Sequence, residues 1–106
     1  MAKYLIIASY TPEGIKGVVS KGGTARQDAV GKMVAELGGS LESFYFAFGE
    51  GDAYVTAELP DNASAAAVSM AVGSTGLASC KTIVLLTPEE IDKATKTGVH
   101  YPAPGS

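Results

Sequence analysis

Apolar and polar residues alternate through Leu41–Asp61, LESFYFAFGEGDAYVTAELPD, and this stretch organises the chain. In its first half Phe44, Phe46 and Phe48 take one face, with Leu41, Tyr45 and Ala47 on the other. In its second half Ala53, Val55, Ala57 and Leu59 alternate with Tyr54, Thr56 and Glu58, the period of a strand buried mainly on one side. Gly49-Glu50-Gly51-Asp52 between them tolerates positive φ, so the pattern predicts a hairpin.

The flanking segments follow the same reasoning. KYLIIASY, residues 3–10, predicts an opening strand with Leu5 and Ile7 on one face and Tyr4, Ile6, Ala8 and Tyr10 on the other. Thr11-Pro12 reads as a cap and first turn of a short helix bearing Ile15, Val18 and Val19, which Gly22-Gly23 stops. Thr24 and Gln27 have capping-box spacing for a longer helix whose stripe is Ala29, Val30, Met33, Val34 and Leu37, closed by Gly38-Gly39. After Pro60, Asp61 or Asn62 caps an alanine-rich helix, with Ala63, Ala66, Ala67 and Met70 expected on its sheet side. Residues 78–87 predict a fourth strand, and Thr87-Pro88-Glu89-Glu90 opens a short helix to about Lys96. Residues 99–106, with two prolines, predict an extended tail.

The order is strand, helix, strand, strand, helix, strand, then a terminal helix and tail, in one domain spanning residues 1–106. The simplest topology is α+β: a ferredoxin-like βαββαβ sandwich with a four-stranded antiparallel sheet. Its two main helices cover one face only, yet Ile83/Leu85 and Val84/Leu86 point opposite ways, as do the two sides of the central hairpin. A sheet with two apolar faces needs a second cover, and the simplest is another copy of the chain.

Composition narrows the function classes. The chain has 106 residues, 46% apolar and 18% charged, which suits a globular domain with a real core. Its net charge of −3, without a Lys/Arg cluster, argues against nucleic acid as partner. Residues 62–80 carry no charge, but serines, glycines, Asn62 and Thr75 break them, so no membrane span is expected. Cys80 is the single cysteine, and Lys3-Tyr4 is not followed by an apolar run long enough for a signal peptide; a reducing, cytoplasmic setting is the expectation.

The run FYFAFGEGDAYVTAELPD, together with SYTPEG, KGGTAR, KTIVLLTPEEID and a closing Tyr…Pro-Gly, resembles the GYD-domain family over nearly the whole chain. Gly51 stands where that family's name-giving Tyr precedes the Asp, and no basic residue follows Tyr101. The resemblance implies small bacterial proteins whose fold pairs as a dimeric α/β barrel, and it implies no settled activity. Such barrels can hold a small apolar ligand, which makes Tyr10, Tyr45, Tyr54 and Phe46 candidate ligand contacts.

Other candidates rest on local chemistry. Lys21, Gly23, Thr24 and Arg26 surround a glycine turn at a helix start, a setting in which free N–H groups and two cations can hold an anion; a plain helix break is the simpler role. Tyr10, Asp52 and His100 are the acid–base groups to test for catalysis, although no motif surrounds His100 and Asp52 suits a turn. One His and one Cys give no metal-ligand spacing, and no glycine run has the form of a nucleotide fingerprint, so neither metal nor cofactor is expected. The readings are a homo-oligomeric small-molecule-binding module, a cofactor-independent oxygenase- or isomerase-like enzyme, or a structural subunit of a larger assembly.

Overall fold

In the computed structural model, which describes residues 1–105, the chain runs β1 (Ala2–Tyr10), α1 (Pro12–Lys21), α2 (Gly23–Glu36), β2 (Ser40–Phe46), β3 (Ala53–Leu59), α3 (Asn62–Ser74), β4 (Ala78–Leu85) and α4 (Pro88–Thr95). The strands form one antiparallel sheet in the order β2-β3-β1-β4, the ferredoxin-like α+β arrangement expected. Ser106, the last residue of the expected tail, lies outside the described residues.

Local chemistry sets the helix boundaries. Thr11 caps α1 by accepting from the Gly14 N–H at 3.2 Å, and Pro12 occupies the first turn, where a missing N–H costs nothing. Gly38 has φ +83, and the Gly39 and Gly38 N–H groups return to the Val34 and Ala35 carbonyls, a Schellman ending of α2. Asp61 caps α3 through the Ser64 N–H at 2.8 Å, a bond that holds its carboxyl below the usual range. Thr87 and Glu90 form the reciprocal capping box that opens α4.

Four local expectations are corrected. The Thr24–Gln27 box does not form: Gly22, at φ +88, ends α1 and is itself the N-cap of α2, so Thr24 already lies within the first turn. Leu41 shares a face with Phe44 rather than opposing it. It pairs with Ala57 while Ser43 pairs with Thr56, so Glu42 is an extra residue that shifts the alternation by one. β2 ends at Phe46, leaving Phe48 fully exposed in the loop, and neither Gly49 nor Gly51 has positive φ. Gly51 is needed for space, since a Cβ there would run into the Ile7 side chain. In α3 the sheet side is Ala65, Val68 and Val72, while Ala63, Ala66, Ala67 and Met70 are exposed. Small apolar residues surround that helix on all sides, so periodicity alone selects no face.

The core lies between one sheet face and α2 and α3. Tyr4, Ile6, Val55, Ala57 and Leu59 from the sheet pack with Val34 and Ala65. Tyr4, Leu59 and Val34 are no more than 1% exposed, and full burial of side chains of this kind contributes about 1.5–3 kcal/mol each. The Tyr4 hydroxyl donates to Asn62 Oδ1 at 2.6 Å, tying the central strand to the start of α3. On the opposite face the registers align Leu5 with Thr56 and Ile83, and Tyr54 with Ile7 and Tyr45. Tyr45 is 71% exposed and Ile83 45%.

The Cα radius of gyration is 16.9 Å, against about 13 Å for a compact chain of this length. The excess comes from the C-terminal end: α4 buries no residue, and residues 96–105 are exposed throughout.

The junction of α1 with the α3–β4 turn is tight. The Thr11 N–H donates to the Leu77 carbonyl at 2.9 Å, and a Cβ on Gly14 would be driven into that same carbonyl. Gly14→Ala is therefore expected to lower stability by about 1–3 kcal/mol in urea titrations. Gly17→Ala, one turn on and with nothing within 4 Å, should be neutral or stabilising by up to about 1 kcal/mol.

Candidate functional site

β1 ends at Tyr10, and Asp52 fixes that end. Its Oδ2 accepts from the Tyr10 backbone N–H at 2.8 Å, its N–H donates to the Ala8 carbonyl at 2.9 Å, and its carbonyl accepts from the Ala47 N–H at 2.9 Å. One residue thus closes the β2–β3 hairpin and binds it to β1. The Tyr10 ring then stands where the sheet meets α1, α2 and the end of α3.

Two adjoining spaces meet at Tyr10. The inner one, about 40 Å³, lies between the sheet and α2 and α3 and is walled mainly by apolar side chains, with Arg26 and Cys80 on its wall. It has room for little more than a water molecule. The outer one is a groove of about 460 Å³ between α1, the first turns of α2 and the last turn of α3, within the roughly 300–1,000 Å³ usual for small-molecule sites. Tyr10, Arg26, Met33, Val72 and Ala78 border both, so the groove and the inner space share a wall.

Arg26 is the charged group at that shared wall. Its Nε is closed off from solvent and donates to no partner among the described residues. The ion pairs found there are Lys3–Glu42 at 3.1 Å and Lys16–Glu13 at 3.2 Å, and neither involves Arg26. Burial pushes the Cys80 thiol up, with the Arg26 charge pulling it down by less, so Cys80 is protonated at neutral pH.

The residues singled out in the sequence separate into several places. Tyr10, Lys21 and Arg26 meet at the groove, whereas Thr24 is exposed and Gly23 lies beneath the Phe46 ring. Phe46 makes an edge-to-face contact with Phe44 at 5.2 Å, a pair on the helix side. Tyr45 and Tyr54 pair across the strands on the open face. The Asp52 carboxylate is engaged by the Tyr10 backbone N–H, and His100 is exposed on the tail. Sequence reasoning missed the far wall of the groove. Val72, Thr75 and Leu77 come from the α3–β4 corner, and only the tertiary docking of α1 on that corner brings them to Tyr10. Among the described residues no three His, Cys, Asp or Glu side chains group as a metal site, and no helix is long and apolar enough to cross a membrane.

Asp52→Ala removes the acceptor for a part-buried N–H and should cost about 1–3 kcal/mol in urea titrations. Asp52→Asn, which keeps an acceptor oxygen, should cost less.

Comparison with known proteins yields one family. No curated protein and no solved structure matches the chain significantly. The family model described as GYD domain matches residues 4–95, which include every strand from Tyr4 on, the hairpin with Asp52 and the whole groove. The chain therefore belongs to the GYD domain family.

Proposed function

We propose that this chain is a homo-oligomeric module that binds a small molecule, with two copies closing their open sheet faces on one another and the ligand seated in the groove on the helix side. The observation that carries the binding half is the groove itself, a space of about 460 Å³ with mainly apolar walls and an Arg26 whose Nε has no partner among the described residues. Pockets of that size with a few convergent polar groups are the usual form of a small-molecule site.

Self-association is supported by the open face. Leu5, Ile7, Tyr45, Tyr54 and Ile83 lie on one side of the sheet, opposite the face that α2 and α3 cover. The Lys3–Glu42 pair and Glu58 gather at one end of this face. Lys81 lies beside Ile7 on the edge strand, and Thr56 and Ser43 pair beside Leu5, so polar groups border the apolar side chains. A second copy supplies the same pattern, as a twofold interface requires.

A structural-subunit reading is supported by a separate observation. α4 starts with a full capping box and yet buries nothing, and Leu86, Ile91, Val99 and Tyr101 are exposed along the arm. Helices of this length are marginal alone in water, so a neighbouring copy is a fitting support for the arm. The enzyme reading has no comparable support: the Asp52 carboxylate is engaged by the Tyr10 backbone N–H, and His100 is exposed on the tail.

Native mass spectrometry of freshly purified protein should give a dimer or higher multiple carrying a few hundred extra daltons that are lost on denaturation. Ile83→Lys should shift the distribution toward monomer, since it sets a charge beside Leu5 among the apolar side chains of the open face. Removing residues 99–106 should leave a dimer of paired sheets intact. Loss of all assembly on that truncation would favour the arm as the joining element, and a wild-type monomer would contradict both.

A further inference from the structure

We infer that the ligand of the groove is a small organic carboxylate with a compact apolar body, held at its acid end by Arg26. This inference rests on the groove being a ligand site, and it adds the chemical class of what binds.

The charge of the site comes first. Arg26 and Lys21 border the groove with one carboxylate, Glu13, so the lining carries one net positive charge. Glu13 is already engaged by Lys16 at 3.2 Å, whereas Arg26 has no ion-pair partner among the described residues. The buried Arg26 Nε has no acceptor among the described residues, and a buried donor left without one is costly. The planar guanidinium fork matches a carboxylate, which accepts two parallel N–H bonds, so an acid in the groove pairs the Arg26 charge.

The shape of the site selects the rest of the molecule. Besides Lys21, Glu13 and Thr75, the walls away from Arg26 include Val18, Met33, Val72, Leu77 and Tyr10, which reward an alkyl chain or a single aromatic ring. A single net positive charge among mainly apolar walls suits a monoanion, while inorganic phosphate would lose its hydration without finding donors on all sides. The inner space, at about 40 Å³, is too small for the body of such a ligand, so the acid lies in the outer groove with Arg26 at its inner end. Cys80, protonated on the inner wall, supplies no charge that opposes the anion.

Isothermal titration of the 106-residue chain with sodium octanoate, octanamide and inorganic phosphate tests the assignment. Octanoate should bind at least tenfold more tightly than octanamide, its neutral counterpart, and more tightly than phosphate. Arg26→Gln should weaken octanoate at least tenfold and leave octanamide unchanged, with urea titration confirming that the variant folds. The octanoate-to-octanamide ratio needs no variant, so it decides the question even where Arg26→Gln misfolds. Equal affinity for the acid and the amide would overturn the carboxylate assignment while leaving the groove as a ligand site. Phosphate as tight as octanoate would overturn the apolar body. Octanoate binding insensitive to Arg26→Gln would put the acid elsewhere, such as on the open sheet face, and overturn the assignment as well. Binding of none of the three would overturn both this inference and the ligand site on which it rests.

Discussion

Two helices can cover only one face of a four-stranded sheet, and most of what distinguishes this chain follows from that limit. β1 lies inside the sheet, flanked by β3 and β4, so its side chains alternate between a helix-covered core and an uncovered surface. Tyr4 and Ile6 go to the core, while Leu5 and Ile7 go to the other side. Apolar residues on both sides of a strand are the pattern of a sheet covered on both faces. The core side is shielded within the chain. The other side is not, and this is the physical motive for the second copy proposed above.

The same limit locates the groove. The helix layer has to turn back at the end of β1, and it does so through the short α1, the single-glycine break at Gly22 and the longer α2. Because α1 is held at its start by the Leu77 carbonyl and packs closely at Gly14, it stands off the last turn of α3, leaving open space between them. Asp52 braces the sheet side of that space from the opposite end of the hairpin. The residue acts through the backbone it anchors, which accounts for its place in the fold without a chemical role for its carboxylate.

Much of the fold was legible in the sequence because local signals agreed with one another. Thr11-Pro12, Gly38-Gly39 and Thr87…Glu90 are cap chemistries that act within a few residues, and each forms as its sequence predicts. Failures came where local patterns are degenerate or where a distant contact decides. The alanine-rich α3 offers no polar side to fix its phase, and the bulge at Glu42 shows only in the register between β2 and β3. The need for glycine at Gly51 is likewise invisible locally, since the obstacle is Ile7 on another strand. For the site, Arg26 and Lys21 were readable as a cationic pair beside a glycine turn. Tyr10 was readable as an aromatic at a strand end. That they share a groove with Val72 and Leu77 depends on long-range docking, for which one sequence carries no signal.

The pairing of open sheet faces is the central claim, and isotope-filtered NMR on a mixed sample tests it most directly. One half of the protein would carry carbon-13 and the other half none, so that only contacts between copies are detected. The account predicts intermolecular contacts from the methyls of Leu5, Ile7 and Ile83 and from the Tyr45 ring, the side chains of the uncovered face. Intermolecular contacts confined to the helix layer, or none at all, would contradict it.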